Sequence, residues 1–276
     1  MAVTGTGTQA DPYVVTTYAE LVEKAAESGV YVKVGNDINI TDEYPDGDMP
    51  TLALNAVVDG DNKTISNWYL NVSSRNMIDI SNTSGRLKNL KLKNIYIPVN
   101  RTMFYVDWYP NVETEYYFTN CEFSGVTNYT IVVTKYGGWG MRLFKKCSFN
   151  IKVTYASNDV LFDADFLNCY IHFHLTNPKA KVFSSASTHE NSYIEITADE
   201  SAKNGVSLGS LSTFSNCVID SNLTTIESLS VGSDKSLSII NSTHAPNYTV
   251  SGKLALVDDE HWLDTAYLAS IGFNAG

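Results

Sequence analysis

Three cysteines, Cys121, Cys147 and Cys169, recur at intervals of 26 and 22 residues, and Cys217 lies beyond them. Regularly spaced thiols become a candidate metal site or disulfide if the chain coils so that they are neighbours. Metal sites favour C-x-x-C pairs, and the sequence has none. A disulfide between adjacent turns needs a narrow range of Cα separation and orientation. Cysteine is also a common small buried residue, so inert core packing is the expectation for all four. His172 and His174 in "YIHFHL" share the outward side of a strand if Ile171 and Phe173 point inward. Two imidazoles can begin a zinc site, but no third ligand stands nearby, and a solvated pair is expected. His189 and His244 are read as structural residues in core columns.

"DVLFDAD" supplies Asp159, Asp163 and Asp165. On one strand the last two would stand about 6.7 Å apart, near the lower limit for an inverting glycosidase. Phe166 and an expected bend follow at once, so no catalytic residue is assigned. "GTGTQA" lacks a preceding strand and is not a dinucleotide loop, and no P-loop, G-x-S-x-G or H-E-x-x-H is present. No cofactor or metal is implied. Aromatic side chains are the stronger surface signal. "MFYVDWYPNVETEYYF" (103–118) and "TKYGGWGMR" (134–142) hold Tyr105, Trp108, Tyr109, Tyr136, Trp139 and Arg142 in irregular segments. Such rings suit a protein interface or sugar stacking, Arg142 suits the interface, and the loops could equally fold back over the core.

The elements that position these residues follow from a repeat. "FTNCEF" (118–123) has near-copies in "FKKCSF" (144–149), "FLNCYI" (166–171), "FSNCVI" (214–219) and "LKNIYI" (92–97). Its asparagine recurs as Asn67, Asn94, Asn120, Asn168, Asn191, Asn216 and Asn241, with Lys146 replacing it once, at spacings of 22–27 residues. That period is too short for a propeller blade and lacks the stripe of a helical repeat. It fits one coil of a parallel β-helix, all-β, with about eight or nine coils stacked roughly 4.8 Å apart. Asparagine turns the chain and forms a buried hydrogen-bonded ladder, cysteine follows as a small interior group, and the flanking Phe columns fill the core. Apolar runs such as "NMIDI" (76–80) and "TIVV" (130–133) supply another face.

Open ends of such a stack need covering. Residues 16–29 predict a capping helix, with Thr17 and Glu20 as a capping box, Gly29 at C′ and Tyr18, Leu21, Val22 and Ala25 as the apolar stripe. "DDEHWLDTAYLASIGF" predicts a closing helix that ends at Gly272. The chain reads as one domain over 1–276: cap and first turn (1–40), coils (41–250) and C-terminal cap (251–276). With 30 acidic and 19 basic residues, a net charge of −11 and no basic cluster, a nucleic-acid partner is not expected. No run approaches 18 apolar residues, so no membrane insertion is expected. The first 13 residues do not read as a signal peptide, which points to a chain made in a cytoplasm.

"GTGTQADPYVVTTYAEL" followed by "VYVKVGNDINI" resembles the opening of right-handed, single-stranded parallel β-helix proteins of the pectate-lyase-like class. "DTAYLASIGF" resembles the tails of such proteins in phages, prophages and gut bacteria. The calcium-binding aspartates and arginine of pectate lyases, and the paired aspartates of polygalacturonases, have no counterpart motif here. The resemblance implies a structural virion protein: a head or tail appendage, fibre or decoration subunit. It would be assembled in the host cytoplasm as a homo-oligomer, with a trimer favoured, beside other virion proteins and facing host-surface glycan. A glycan-binding adhesin and a polysaccharide lyase or glycoside hydrolase are the alternatives.

Overall fold

The computed structural model describes residues 3–81, 84–107, 115–134, 142–154, 159–161, 164–177, 181–183, 188–202, 213–215, 217–222, 229–231, 236–240, 250–251 and 253–256. Over these residues the chain winds as a parallel β-solenoid with three sheets of 11, 10 and 6 strands. Six coils carry a strand on all three faces and four more on two faces, against the eight or nine coils expected. Strands in successive coils pair in parallel register, so each side chain stands above its equivalent.

The interior is a set of stacked columns. On the first sheet the column runs Val58, Leu87, Phe118, Phe144, Phe166, His189 and Phe214. On the second it runs Ile38, Ile65, Leu92, Phe123, Phe149, Ile171, Ile194 and Ile219. Phe104, from the third sheet, closes the prism at 4.9 Å from Phe118 and 5.1 Å from Phe123. Each buried ring contributes about 1.5–3 kcal/mol through apolar area removed from water.

The first corner turns because one residue per coil adopts the left-handed conformation: Asn89, Asn120, Lys146, Asn168 and Asn191 have φ between 49° and 55°. Asparagine tolerates that region better than other residues with a side chain. These side chains lie at the surface, half-buried to exposed, instead of in the interior as expected. Asn120 Nδ2 donates to Asn89 Oδ1 (2.9 Å), and Asn89 Nδ2 donates to Asp59 Oδ1 (3.1 Å).

The pairing corrects the register of the repeat at both ends. Phe118 pairs with Leu87, so "LKNLKL" (87–92) is the copy of "FTNCEF", and Leu92 stands beneath Phe123. Asn67 and Asn94 form a second ladder with Asn39, through Nδ2–Oδ1 bonds of 2.8 and 3.2 Å. That ladder ends at a bulge, where Asn94 is extra and Gly125 takes φ 153°. A Cβ on Gly125 would lie 2.1 Å from the Ile95 carbonyl oxygen, so glycine is required there. In the last coil but one of the described part Ile239 pairs with Ile219 on the second sheet, whereas its place two residues before Asn241 in the repeat predicts the column of Phe214. Asn216, Asn241 and His244 lie outside the described residues.

The helix Tyr18–Ala25 begins at Thr17 with both bonds of the capping box. Glu43 adds a second acid there, accepting from the backbone N–H groups of Tyr18 (2.6 Å) and Ala19 (3.0 Å), where the helix dipole favours negative charge. The helix ends at Ala26, so Gly29 is not its C′ residue. The Asn55 and Ala56 N–H groups satisfy the Ala25 carbonyl instead. The expected closing helix lies in residues 257–276, outside the described part. Among the described residues no helix is long and apolar enough to cross a membrane.

Candidate functional site

With Leu87, Phe118, Phe144, Phe166 and His189 turned inward, strand alternation turns Arg86, Lys88, Lys145 and Glu190 outward. They line an open groove of about 670 Å³ on the first sheet, joined by Tyr116 and Arg142 from the chain between faces. A smaller hollow of about 220 Å³ continues it towards Lys33 and Tyr31. From the strand Tyr31–Val34 to the strand Thr188–Glu190 the face spans six coil steps, about 29 Å.

The groove concentrates positive charge in an acidic protein. Arg86, Lys88, Arg142 and Lys145 outnumber Glu115 and Glu190 along its walls. Arg86 lies over the Tyr117 ring (4.7 Å) and 3.7 Å from Glu115. The exposed Arg142 and the half-buried Lys145 approach the Tyr116 ring at 6.0 and 5.9 Å. Burial raises the Tyr116 pKa, so the phenol stays neutral and available as a donor. Lys88 meets Asp59 at 3.3 Å. Burial pushes the Asp59 carboxyl up, but bonds from the Asp61 N–H, Asn89 and Lys88 outweigh it and hold it below the usual range. The result is a flat strip of fixed charges and one ring, suited to holding a chain that lies along the rod.

The other predicted residues are dispersed. Tyr105 sits on the outer face of the third sheet, in register with Asp79 and Val133. Burial, with the nearby Asp107 charge, raises the Asp79 pKa against the opposing bond from Asn76 (3.0 Å). Trp108, Tyr109, Tyr136, Trp139 and Asp163 lie outside the described residues, as does the side chain of Asp159. Asp165 accepts a bond from the Thr188 N–H (2.7 Å). His174 bonds Asp199 and Thr197, each at 3.0 Å, and His172 stands 3.4 Å from Thr197. Among the described residues no three potential ligands converge on a metal position.

Cys121, Cys147, Cys169 and Cys217 are buried free thiols in one column, with Leu90 below and Ser192 taking one place. Each sulfur donates to a carbonyl in its own coil and to one in the coil before, as Cys147 does to Lys145 (3.4 Å) and Phe118 (3.6 Å). Burial pushes the thiols of Cys121, Cys147 and Cys217 upward, so they stay protonated and weakly nucleophilic.

No protein-family model matches this chain, and no curated protein matches it.

Of the residues that line the groove, the sequence singles out Arg142, beside the aromatic segments, and not Arg86, Lys88, Tyr116 or Lys145. The signal was the alternation in "RLK" (86–88) and "FKK" (144–146), where each inward residue defines outward neighbours.

Proposed function

We propose that the protein is a structural β-helix subunit of a bacteriophage virion, in a head or tail appendage, that holds an extended host-surface glycan along its first sheet. The groove carries this reading: it is open, crosses several coils, and combines a Tyr ring with cations and hydrogen-bonding groups. Carbohydrate recognition uses such flat rings with flanking polar groups. Pairing of Arg86 with Glu115 and Lys88 with Asp59 suits fixed recognition more than a reaction. The virion setting rests on the resemblance of the closing sequence "DTAYLASIGF" to the tails of β-helix proteins in phages, prophages and gut bacteria. The test is calorimetry against a panel of bacterial surface polysaccharides, with Tyr116→Ala and Arg142→Ala as controls. Binding weakened about tenfold or more by either substitution supports the reading. Absence of binding to every polysaccharide, or binding unchanged in both variants, defeats it.

Asp79 favours a second reading, a polysaccharide-cleaving enzyme. A half-buried carboxyl with a raised pKa, near a second carboxylate and a tyrosine, has the properties of a general acid. Release of reducing ends by the native protein, abolished in Asp79→Asn, would establish it.

A further inference from the structure

The outer face of the ten-stranded second sheet has a charge pattern that matches its own reverse. On the strand Lys91–Ile97, Lys91 and Lys93 share a single acid, Glu122 of the next coil, at 3.5 and 3.9 Å. Four coils further on, the strand Tyr193–Ala198 and the residue after it present Glu195 and Asp199, beside the imidazoles of His172 and His174. The face is therefore basic towards one end of the rod and acidic towards the other. The strand Ser148–Val153 lies midway between the two.

Apolar exposure falls on the same face. Among the described residues the exposed large apolar side chains are Tyr96 (48%) and Tyr170 (40%), and both project from this sheet. Each is held flat against a neighbouring ring, Tyr69–Tyr96 at 5.6 Å and Tyr170–Tyr193 at 5.5 Å. Rigid tyrosines of this kind anchor protein interfaces at low entropic cost.

We propose that this face binds a second copy of the chain, with the two rods antiparallel and related by a twofold axis along the strand Ser148–Val153. In an isologous contact residue i meets j, and j meets i. The axis sets Lys93 opposite the second copy's Glu195, and Glu195 opposite the second copy's Lys93. Ser66, one coil below Lys93, meets the acidic coil of Asp220. Parallel rods on this face would instead set lysines against lysines and acids against acids. Area is sufficient: the seven strands from Thr64–Ser66 to Cys217–Ser221 are centred on Ser148–Val153 and, at ~4.8 Å a strand, cover at most about 34 Å by 20 Å. That is on the order of 670 Å² per copy, close to the ~800 Å² per partner of a stable interface. The Lys152 side chains of the two copies face each other near the axis, a like-charge contact that opposes the dimer and that the long lysine stems reduce by carrying their ammonium groups out towards the rim. This arrangement differs from the trimer that the sequence resemblance implies, and the groove on the first sheet stays open in it.

The experiment is light scattering across a concentration series, at low and moderate salt, with the full chain. The expected mass is twice the 30.4 kDa of one chain, falling on dilution and at higher salt. Lys93→Glu and Glu195→Lys each weaken the dimer about tenfold, and mixing the two variants restores it, because a mixed pair has opposite charges at both contacts. Asn150→Cys, exposed on the central strand, is joined to its counterpart by a short bis-maleimide, which spans the ~10 Å between two stacked sheets as a disulfide cannot, while the four native cysteines stay buried. A monomer throughout, a trimer, a dimer indifferent to both charge reversals, or a dimer that Asn150→Cys cannot cross-link each overturns the proposal.

Discussion

Replacing His189 with phenylalanine should make this protein more stable and less sensitive to acid. His189 lies in the Phe column, 5.2 Å from the Phe166 ring at 11° and 4.8 Å from the Phe214 ring at 12°, with Phe183 edge-on at 4.5 Å. It is fully buried, and neither ring nitrogen meets a hydrogen-bond partner among the described residues. Leaving a buried polar group unsatisfied costs about 1–3 kcal/mol. A phenylalanine continues the column without those groups, so His189→Phe should gain about 1–3 kcal/mol at pH 7.5. Burial also drives the imidazole pKa from 6.5 down to about 3. The unfolded chain therefore takes up the proton first. Stability is full above pH 6.5 and falls as the pH drops from 6.5 towards 3. At pH 5.0 the wild-type protein should have lost about 2 kcal/mol through this one residue. Urea denaturation of both proteins at pH 7.5 and 5.0 measures the effect. The variant should have the higher midpoint at both, with the gap widening at pH 5.0 by about that amount. A variant that is less stable at pH 7.5, with an unchanged gap at pH 5.0, would refute this reasoning by showing a satisfied or hydrated imidazole.

The corner asparagines make two opposite expectations. Asn120→Ala loses the left-handed preference and the bond to Asn89, about 2 kcal/mol together, whereas Lys146→Asn inserts a better corner residue between Asn120 and Asn168 and gains about 1 kcal/mol; denaturation midpoints read both. Gly125→Ala forces a Cβ against the Ile95 backbone at a φ of 153°, and should lose on the order of 3 kcal/mol, visible as a lowered melting temperature by circular dichroism. A disulfide-exchange reagent should label none of the four cysteines in the native protein and all four in denaturant, since each is buried; rapid native labelling of any one contradicts the packing described.

How much of this was legible in the sequence depended on whether a residue repeats. Phe118, Phe144, Phe166 and Phe214 occupy one column because stacking repeats one environment in every coil, and repetition is readable without coordinates. The error at Asn67 and Asn94 has the same origin. "LKNLKLKN" carries two asparagines in left-handed turns five residues apart, Asn89 at the corner and Asn94 at the bulge. Spacing alone could not separate them, because only the pairing of Leu92 with Phe123 fixes the register. The groove was hidden for the opposite reason. Arg86, Tyr116, Arg142 and Lys145 follow no common pattern, and come together only because alternation and coil stacking place them on one face. The thin apolar stripe of the capping helix and its Thr17–Glu20 box were local signals, and those the sequence carries directly.

The uniform register has a genetic consequence. Phe118, Phe144 and Phe166 are interchangeable positions on successive coils, so removing residues 144–165 would join Leu143 to Phe166 and leave the columns aligned. One in-frame deletion of a coil shortens the rod by about 4.8 Å, and one duplication lengthens it by as much. Length is thus a countable, heritable quantity in this protein, open to adjustment by recombination between coils without redesign of either end.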